Sequence, residues 1–140
     1  MLALRLVVDT NVLVSAALKP ESVQNSVFLI AITKPARVFV SAPILEEYSA
    51  VLARRELRIR KGLCQQLLQL VKNRSSLAVP RYSIAVTSDP DDNMFIECAD
   101  AARADYLITG NLRHFPRFWK GTKVVSPREF MEMAAPHLLS

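Results

Sequence analysis

The sequence Leu-Arg-Leu-Val-Val at residues 4–8 is a nearly continuous apolar run, and the polar triplet Asp-Thr-Asn at residues 9–11 follows it directly. A short run of this kind predicts a central strand of a parallel sheet, buried on both faces. The ligand crevice of an open parallel sheet lies beyond the carboxyl ends of its strands. Asp9 stands at such an end, so we predict that it belongs to a functional site. The alternative interpretation is that Asp9 caps the helix that follows it.

Helix-like and strand-like segments alternate along the rest of the chain. Helical spacing of apolar residues, with serine and proline as start and stop signals, predicts helices at residues 22–32, 60–73, 92–103 and about 127–134. A further helix is predicted from the start signal of Ser41 and Pro43, with its apolar stripe at residues 44–52. Short apolar runs predict strands at residues 37–40, 77–79, 106–109 and 123–125. This alternation predicts an α/β sandwich with a central parallel sheet and right-handed crossovers.

The composition predicts one globular domain that spans residues 1–140. Hydrophobic residues make up 51% of the chain and charged residues 22%, which excludes a disordered tail or a collagen-like fibre. The net charge is +5, and most of the cations are arginine, which favours phosphate recognition. Nucleic acid is therefore a candidate partner, although charge alone does not decide it.

Cysteine content and hydropathy predict a cytoplasmic protein. Cys64 and Cys98 each lie in an apolar helical pattern, which suits reduced core thiols better than disulfides or metal ligands. The first apolar run ends at Asp9, too early for a signal peptide, and no stretch approaches the roughly 20 apolar residues of a membrane span. The three glycines form neither a GxGxxG motif nor a P-loop, so nucleoside triphosphate chemistry is not expected.

A pair of glutamates, Glu46 and Glu47, lies one turn into the helix that follows the strand at residues 37–40. At about 100° per residue, Glu46 points away from the apolar stripe of this helix, whereas Glu47 lies at the border of the stripe. We therefore predict that Glu47 faces the crevice and that Glu46 is solvated. The alternative is that both acids merely favour the positive helix N-terminus.

An acidic segment, Ser-Asp-Pro-Asp-Asp-Asn at residues 88–93, opens the most apolar helix. Asp89 as a cap with Pro90 at the first helical position is a strong start signal. Capping explains Asp92 less well, because an unpaired carboxylate beside a core carries a large desolvation cost. A bound metal would supply the missing cation.

The strand at residues 106–109 ends in Thr-Gly-Asn, which places Asn111 at its carboxyl end, where it is expected to face Asp9. Asp105 precedes the same strand, about four residues at roughly 3.3 Å each from that end, and is not expected to bind a metal. Asp100 lies on the narrow polar stripe of the preceding helix with Asn93 and Glu97 and is expected at the surface.

The candidate site offers only oxygen donors, from Asp9, Glu47, Asp92 and Asn111. His114 and His137 have no cysteine or histidine at metal-ligand spacing, which disfavours zinc. Carboxylate and amide oxygens suit Mg²⁺ or Mn²⁺, which retain waters and bridge to phosphate oxygens.

Basic residues cluster in two places apart from these acids: Arg54, Arg55, Arg58, Arg60 and Lys61, and then Arg113, Arg117 and Lys120. A negative pocket beside positive rims is the electrostatic arrangement expected of a metal-dependent nuclease. The alternative for the first cluster is an ordinary solvated helix end.

Four segments in this order carry a resemblance to a known family: VVDTNVLVSA at 7–16, ILEEYSAVL at 44–52, DPDDNMFIECA at 89–99 and ADYLITGN at 104–111. Together they resemble the PIN domain, and within it the branch of toxins from toxin-antitoxin pairs that is akin to VapC-type ribonucleases. The resemblance spans nearly the whole chain. It implies a Rossmann-like α/β/α fold, an acidic Mg²⁺ or Mn²⁺ site, RNA cleavage, a protein antitoxin and frequent dimerisation.

The resemblance also implies roles for individual residues. The first acid of the family corresponds to Asp9, its glutamate to Glu47 and its third acid to Asp92, so Asp9 and Asp92 would hold the principal metal and Glu47 would complete the shell. The family usually has Asp where this chain has Asn111. Asn111 would coordinate a metal or position water without contributing charge, and weaker binding of a second metal is expected.

Two other functions fit the same residues. The first is a binding module for RNA or an antitoxin, in which Asn111 has silenced the site. The second is phosphoryl transfer with Asp9 as nucleophile, since a carboxylate after the first strand also serves aspartyl-phosphate enzymes. The sequence Asp-Thr-Asn lacks a second Asp two residues after the first, which ranks phosphoryl transfer last.

Overall fold

A computed structural model describes residues 3–136 and shows a six-stranded sheet flanked by helices. The strands are β1 (Arg5–Val8), β2 (Arg37–Val40), β3 (Ser75–Leu77), β4 (Tyr106–Ile108), β5 (Phe118–Trp119) and β6 (Thr122–Val125). The helices are α1 (Thr10–Leu18), α2 (Val23–Ala31), α3 (Ala42–Leu52), α4 (Lys61–Arg74), α5 (Asn93–Ala102) and α6 (Pro127–Ala134). The α/β fold with a mostly parallel central sheet is confirmed.

The strand order β3-β2-β1-β4-β6-β5 places β1 at the centre of the sheet. β1 pairs in parallel with β2 on one side and with β4 on the other, and Val8 lies opposite Ile108. The chain first builds the sheet outward from β1 to β3 and then crosses to β4, so the strand order reverses between β1 and β4. A crevice at the carboxyl ends of two such strands is where open α/β sheets bind ligands.

The apolar pattern around β1 explains why this strand is central. Leu6 and Val7 are fully buried and Val8 nearly so, as expected of a strand covered on both faces. Helix α5 packs against β1, β2 and β4, and buries Phe95 and Ile96 completely. The core therefore fixes the ends of both β1 and α5, which carry the candidate acids.

Serine caps set the starts of α2, α3 and α6. The Ser41 hydroxyl accepts from the Ile44 N–H of α3, and Ser126 forms a reciprocal capping box with Glu129 at the start of α6. Pro43 and Pro127 occupy the first turns of these helices, as their fixed φ permits. These boundaries match the predicted ones.

Several elements differ from the prediction, most of them by one residue at an end. β3 comprises Ser75–Leu77 instead of residues 77–79, because Ser75 pairs with Val38 and the chain turns into the sheet directly after α4. Residues Pro90–Asp92 form one 3₁₀ turn, so α5 begins at Asn93. The two-residue strand β5, antiparallel to β6, was not predicted.

None of the described helices is long and apolar enough to cross a membrane.

Candidate active site

Asp9 lies at the carboxyl end of β1, where its backbone N–H donates to the Ile108 carbonyl at 2.9 Å and extends the pairing with β4. The residue is only 5% exposed. The Tyr48 hydroxyl of α3 donates to the Val8 carbonyl directly before it, which ties the end of β1 to the next helix layer. Asp9 occupies the N-cap position of α1, but its side chain makes no capping hydrogen bond to that helix.

The Thr109 hydroxyl joins Asp9 to the segment after β4. It donates to Asp9 Oδ2 at 2.7 Å and accepts from the Asn111 N–H at 3.0 Å. One residue away, the Gly110 N–H donates to Asn11 Oδ1 at 3.1 Å. Because Thr109 is fully buried, this hydrogen-bond chain holds the Asp9 carboxylate and the Asn111 backbone in a fixed relation.

Glu47 is half-buried and turns toward Asp9, whereas Glu46 is exposed. The Thr10 hydroxyl, next to Asp9, lies 3.5 Å from Glu47 Oε2. The helical periodicity of α3 therefore distinguished correctly between the orientations of the two glutamates.

Asp92 has a partner that the sequence did not reveal. Its Oδ2 lies 3.2 Å from Nδ1 of His114, and the Asp92 side chain is 19% exposed. The His114 backbone carbonyl also accepts from the Ser88 N–H at 3.0 Å. The segment after β4 thus contacts Asp9 through Thr109 and Asp92 through His114, and brings both acids to one place.

These elements enclose a cleft of about 490 Å³. The four predicted residues all line it: Asp9, Glu47, Asp92 and Asn111. Asn11, Asp89, Asp91 and His114 line it as well. Within residues 3–136, no three acidic, histidine or cysteine side chains are close enough together to count as a formed metal site. The predicted donors therefore line one cleft, but within residues 3–136 they do not converge on a single position.

The electrostatics of the cleft are unfavourable for the negative charge on Asp9. Burial raises the pKa of Asp9 from 3.8 to about 6; the Thr109 hydrogen bond opposes this, and the nearby carboxylates of Asp92 and Glu47 add to it. Burial also raises the pKa of Asp92, against the effect of His114. Among the described residues, no lysine or arginine forms a salt bridge with Asp9.

This donor set fits a hard divalent cation. A carboxylate that is buried without a cationic partner is costly, and neighbouring carboxylates increase that cost. A cation coordinated by oxygen would relieve both effects, and Mg²⁺ and Mn²⁺ prefer carboxylate and amide oxygens.

Comparison with known proteins agrees with the fold and with these motifs. The PIN domain family model matches residues 5–113, most of the chain and all four predicted site residues. This chain belongs to the PIN domain family. Proteins with PIN domains are generally nucleases that hydrolyse phosphodiester bonds.

Two individual proteins resemble this PIN domain over most of its length. The uncharacterized protein MJ1680 of Methanocaldococcus jannaschii is 29% identical, with 92% of this chain and 90% of the relative covered. A chain in the crystal structure of VapBC2 from Rickettsia felis, bound to a DNA fragment from their promoter, superposes with a TM-score of 0.57 at 14% identity. That match covers 87% of this chain and 98% of the other, and it supports the fold.

The polar stripe of α5 in this PIN domain is not a solvated face, which corrects the prediction for Asp100. Asp100 Oδ1 pairs with Lys120 Nζ at 2.8 Å and accepts from Trp119 Nε1 at 3.0 Å. Asn93 and Glu97 accept hydrogen bonds from the backbone of the segment before the acidic turn. The stripe thus holds that segment and the β5 hairpin against α5.

Other predicted placements hold where the structure describes them. Asp105 lies away from the cleft and accepts from the Arg5 N–H at 2.8 Å. Cys64 and Cys98 are buried free thiols. His137 lies outside the described residues.

Proposed function

We propose that this PIN-domain protein is a metal-dependent endoribonuclease, the toxin of a toxin-antitoxin pair. The observation that carries the proposal is Asp9, a buried carboxylate that has no cationic partner among residues 3–136 and lies where the strand order reverses. Asp92 and Glu47 line the same cleft. A cleft of this kind would suit a divalent cation held by the carboxylates beside a bound phosphate. The family membership supports phosphodiester hydrolysis.

In this proposal Asp9, Asp92 and Glu47 hold Mg²⁺ or Mn²⁺, and Asn111 positions a water or a substrate oxygen. When bound, such an ion lowers the pKa of a coordinated water and offsets charge that develops on the phosphate. Thr109 orients the Asp9 carboxylate, and His114 orients that of Asp92. No side chain needs to form a covalent intermediate, which separates this mechanism from phosphoryl transfer through Asp9.

The direct test incubates purified protein with a labelled single-stranded RNA, with Mg²⁺ or Mn²⁺ and with a chelator. We expect internal cleavage that requires the ion. Intact RNA under every metal condition would contradict the proposed activity.

The neutral Asn111 favours a second candidate, a PIN module that binds RNA or an antitoxin without cleaving. It lines the cleft where the family usually has Asp, and the described donors do not close on one point. If the protein binds RNA with the same affinity in every metal condition and never cleaves it, the result would support this alternative and exclude the nuclease.

The charge of residue 111 gives a prediction of its own. Asn111→Asp adds a sixth carboxylate to a cleft whose five carboxylates already repel one another, so the metal-free protein becomes less stable. Metal affinity rises by about tenfold, the scale on which changes around a metal site act. Calorimetric titration with Mn²⁺ measures the affinity, and thermal unfolding measures the stability. An unchanged titration would show that Asn111 does not limit metal binding.

The partners in this proposal are RNA, a protein antitoxin and a second copy of the chain, with one nuclease domain over residues 1–140 acting in the cytoplasm. The R. felis relative in fold is named for a VapBC2 assembly, which supports a protein partner. Purification from native cells, followed by mass spectrometry and light scattering, would identify a bound antitoxin and the oligomeric state.

A further inference from the structure

The strand β3 forms one edge of the sheet, and its outer side is open. It pairs with β2, and no other strand within residues 3–136 pairs with it. The extended course continues past the strand, since the Ala78 N–H donates to the Val40 carbonyl at 2.7 Å. Successive residues of a strand direct their backbone groups to opposite sides, so the N–H and C=O of Leu77 and Val79 point away from β2. These groups are a template for a further strand.

The side chains at this open edge are apolar. Val79 is 74% exposed and Leu77 is 65% exposed, the two highest values among the large apolar side chains of residues 3–136. Residues two apart in an extended chain point to the same face, so these two side chains form one apolar strip beside the open backbone groups. An exposed apolar strip beside unpaired backbone groups is typical of a surface that binds a partner.

The chain around the edge carries only positive charge. Residues 57–88 contain no aspartate or glutamate, and they include all of α4 and β3. Lys72 and Arg74 lie just before β3, and Arg81 lies just after Val79. All three cations are exposed, and within residues 3–136 none of them forms a salt bridge. The open edge is therefore flanked on both sides by cations that are available to an acidic partner.

Charge and backbone chemistry together decide which partner fits the edge. Two copies of this chain that paired through β3 would place the same cations against each other, and like charges across an interface lower affinity. A nucleic acid would meet the cations, but it has no alternating N–H and C=O groups to pair with the backbone of Leu77 and Val79. An extended peptide that carries carboxylates satisfies both requirements.

We propose that the open edge of β3 is a docking edge for an extended, acidic segment of a partner protein, which adds a strand to the sheet. Main-chain hydrogen bonds to Leu77 and Val79 hold the added strand, and its alternate apolar side chains pack on the apolar strip. Its carboxylates pair with Arg74 and Arg81. None of these residues lines the acidic cleft, so the docking edge is a separate site and does not depend on the proposed nuclease activity.

The test uses the natural protein and a synthetic eight-residue peptide, in which valine and threonine alternate between glutamates at both ends. NMR titration measures the affinity, and hydrogen exchange measures the protection of single backbone amides. We expect saturable binding that slows exchange of the Leu77 and Val79 amides by about tenfold or more, because their N–H groups become paired. A control peptide with lysine in place of glutamate is expected to bind about tenfold or more weakly.

Two variants of Leu77 separate the backbone contact from the side-chain contact. Leu77→Pro removes an outward N–H and leaves the pairs with β2 in place, as proline is tolerated at such edge positions, and we expect it to abolish binding. Leu77→Ser keeps the N–H but removes the apolar contact, and we expect binding about threefold weaker. Leu29→Ser is the matched control, an exposed leucine on α2, and is expected to leave the affinity unchanged.

A second pair of variants tests the charge of the docking edge. Arg81→Gln is expected to weaken peptide binding by about twofold to fivefold, the effect of one exposed ion pair. Arg128→Gln, which replaces an exposed arginine on α6, is the control and is expected to have no effect. Thermal unfolding of every variant confirms that the fold is retained.

Each other outcome overturns the docking edge. These outcomes are no saturable binding, binding that leaves exchange of the Leu77 and Val79 amides unchanged, and equal affinities of Leu77→Ser and Leu29→Ser. If an RNA oligonucleotide displaces the peptide and protects the same amides, the edge binds nucleic acid instead. If raising the protein concentration alone protects them, the occupant is a second copy. Cleavage at the acidic cleft is measured separately with RNA and metal, so the nuclease proposal stands or fails independently.

Discussion

Asp9→Asn is expected to abolish RNA cleavage, with a loss of about 100- to 1000-fold or more. The removed charge belongs to the most buried acid of the cleft, and contributions of several kcal/mol to transition-state stabilisation correspond to factors of this size. Asn keeps the shape of Asp and still accepts the Thr109 hydrogen bond, so the fold remains intact. Initial cleavage rates at saturating Mg²⁺ measure the effect.

Asp105→Asn is the matched control for this variant. Asp105 also adjoins a central strand, but it lies outside the cleft. We expect its cleavage rate to equal that of the natural protein. Substantial activity of Asp9→Asn would exclude Asp9 as a metal ligand.

The same substitution is expected to stabilise the metal-free protein. Because burial raises the pKa of Asp9 from 3.8 to about 6, the native state binds a proton more tightly than the unfolded chain does. Protonated Asp9 therefore contributes favourably to the free energy of unfolding below pH 4, and this contribution is lost as the pH rises to about 6. At pH 7 this costs about 2 to 3 kcal/mol, which Asp9→Asn removes.

Urea unfolding between pH 4 and 7, in the presence of chelator, measures this dependence. Added Mn²⁺ restores the stability of the natural protein and has little effect on Asp9→Asn, because ligands stabilise only the state that binds them. If metal-free Asp9→Asn is less stable at pH 7 than the metal-free natural protein, the Asp9 carboxylate stabilises the fold and does not destabilise it.

Thr109→Val is expected to cause the second largest effect. Valine matches threonine in shape but leaves the Asp9 carboxylate without its hydroxyl donor and the Asn111 N–H without its acceptor. Unpaired polar groups at a buried position destabilise the protein by about 1–3 kcal/mol. Because the Thr109 hydrogen bond lowers the pKa of Asp9, its loss makes protons compete more strongly with metal, and Mn²⁺ affinity falls by about tenfold or more.

Thr109→Ser keeps the hydroxyl and is the control for Thr109→Val. We expect it to retain most of the metal affinity and to lose only the packing of one methyl group. Calorimetric Mn²⁺ titrations of the two variants give the comparison. Equal affinities would show that the hydroxyl has no part in orienting Asp9.

The sequence predicted those parts of the site that depend on local pattern. The run at residues 4–8 identified β1 because a strand buried on both faces needs continuous apolar side chains. Asp9 was predicted as a site residue because it comes directly after that strand. The helical period of α3 separated Glu47 from Glu46, since both the apolar stripe and the cleft lie on definite sides of that helix.

The parts that were missed depend on contacts between distant segments. His114 meets Asp92 across 22 positions of sequence, through the conformation of the segment after β4, and no local pattern encodes that meeting. The same holds for Asp100, whose partners Trp119 and Lys120 lie on the β5 hairpin. At β3, pairing with β2 overrides the weak strand preference of Ser75 and Ser76.

Anomalous diffraction from crystals soaked in Mn²⁺ tests the proposed metal site directly. We expect a strong anomalous peak in the cleft, coordinated by Asp9 and Asp92, with Glu47 and Asn111 in contact with the ion or its waters. We expect no such peak in Asp9→Asn crystals soaked in the same way. If the natural protein binds Mn²⁺ only outside this cleft, or not at all, these residues do not form a metal site.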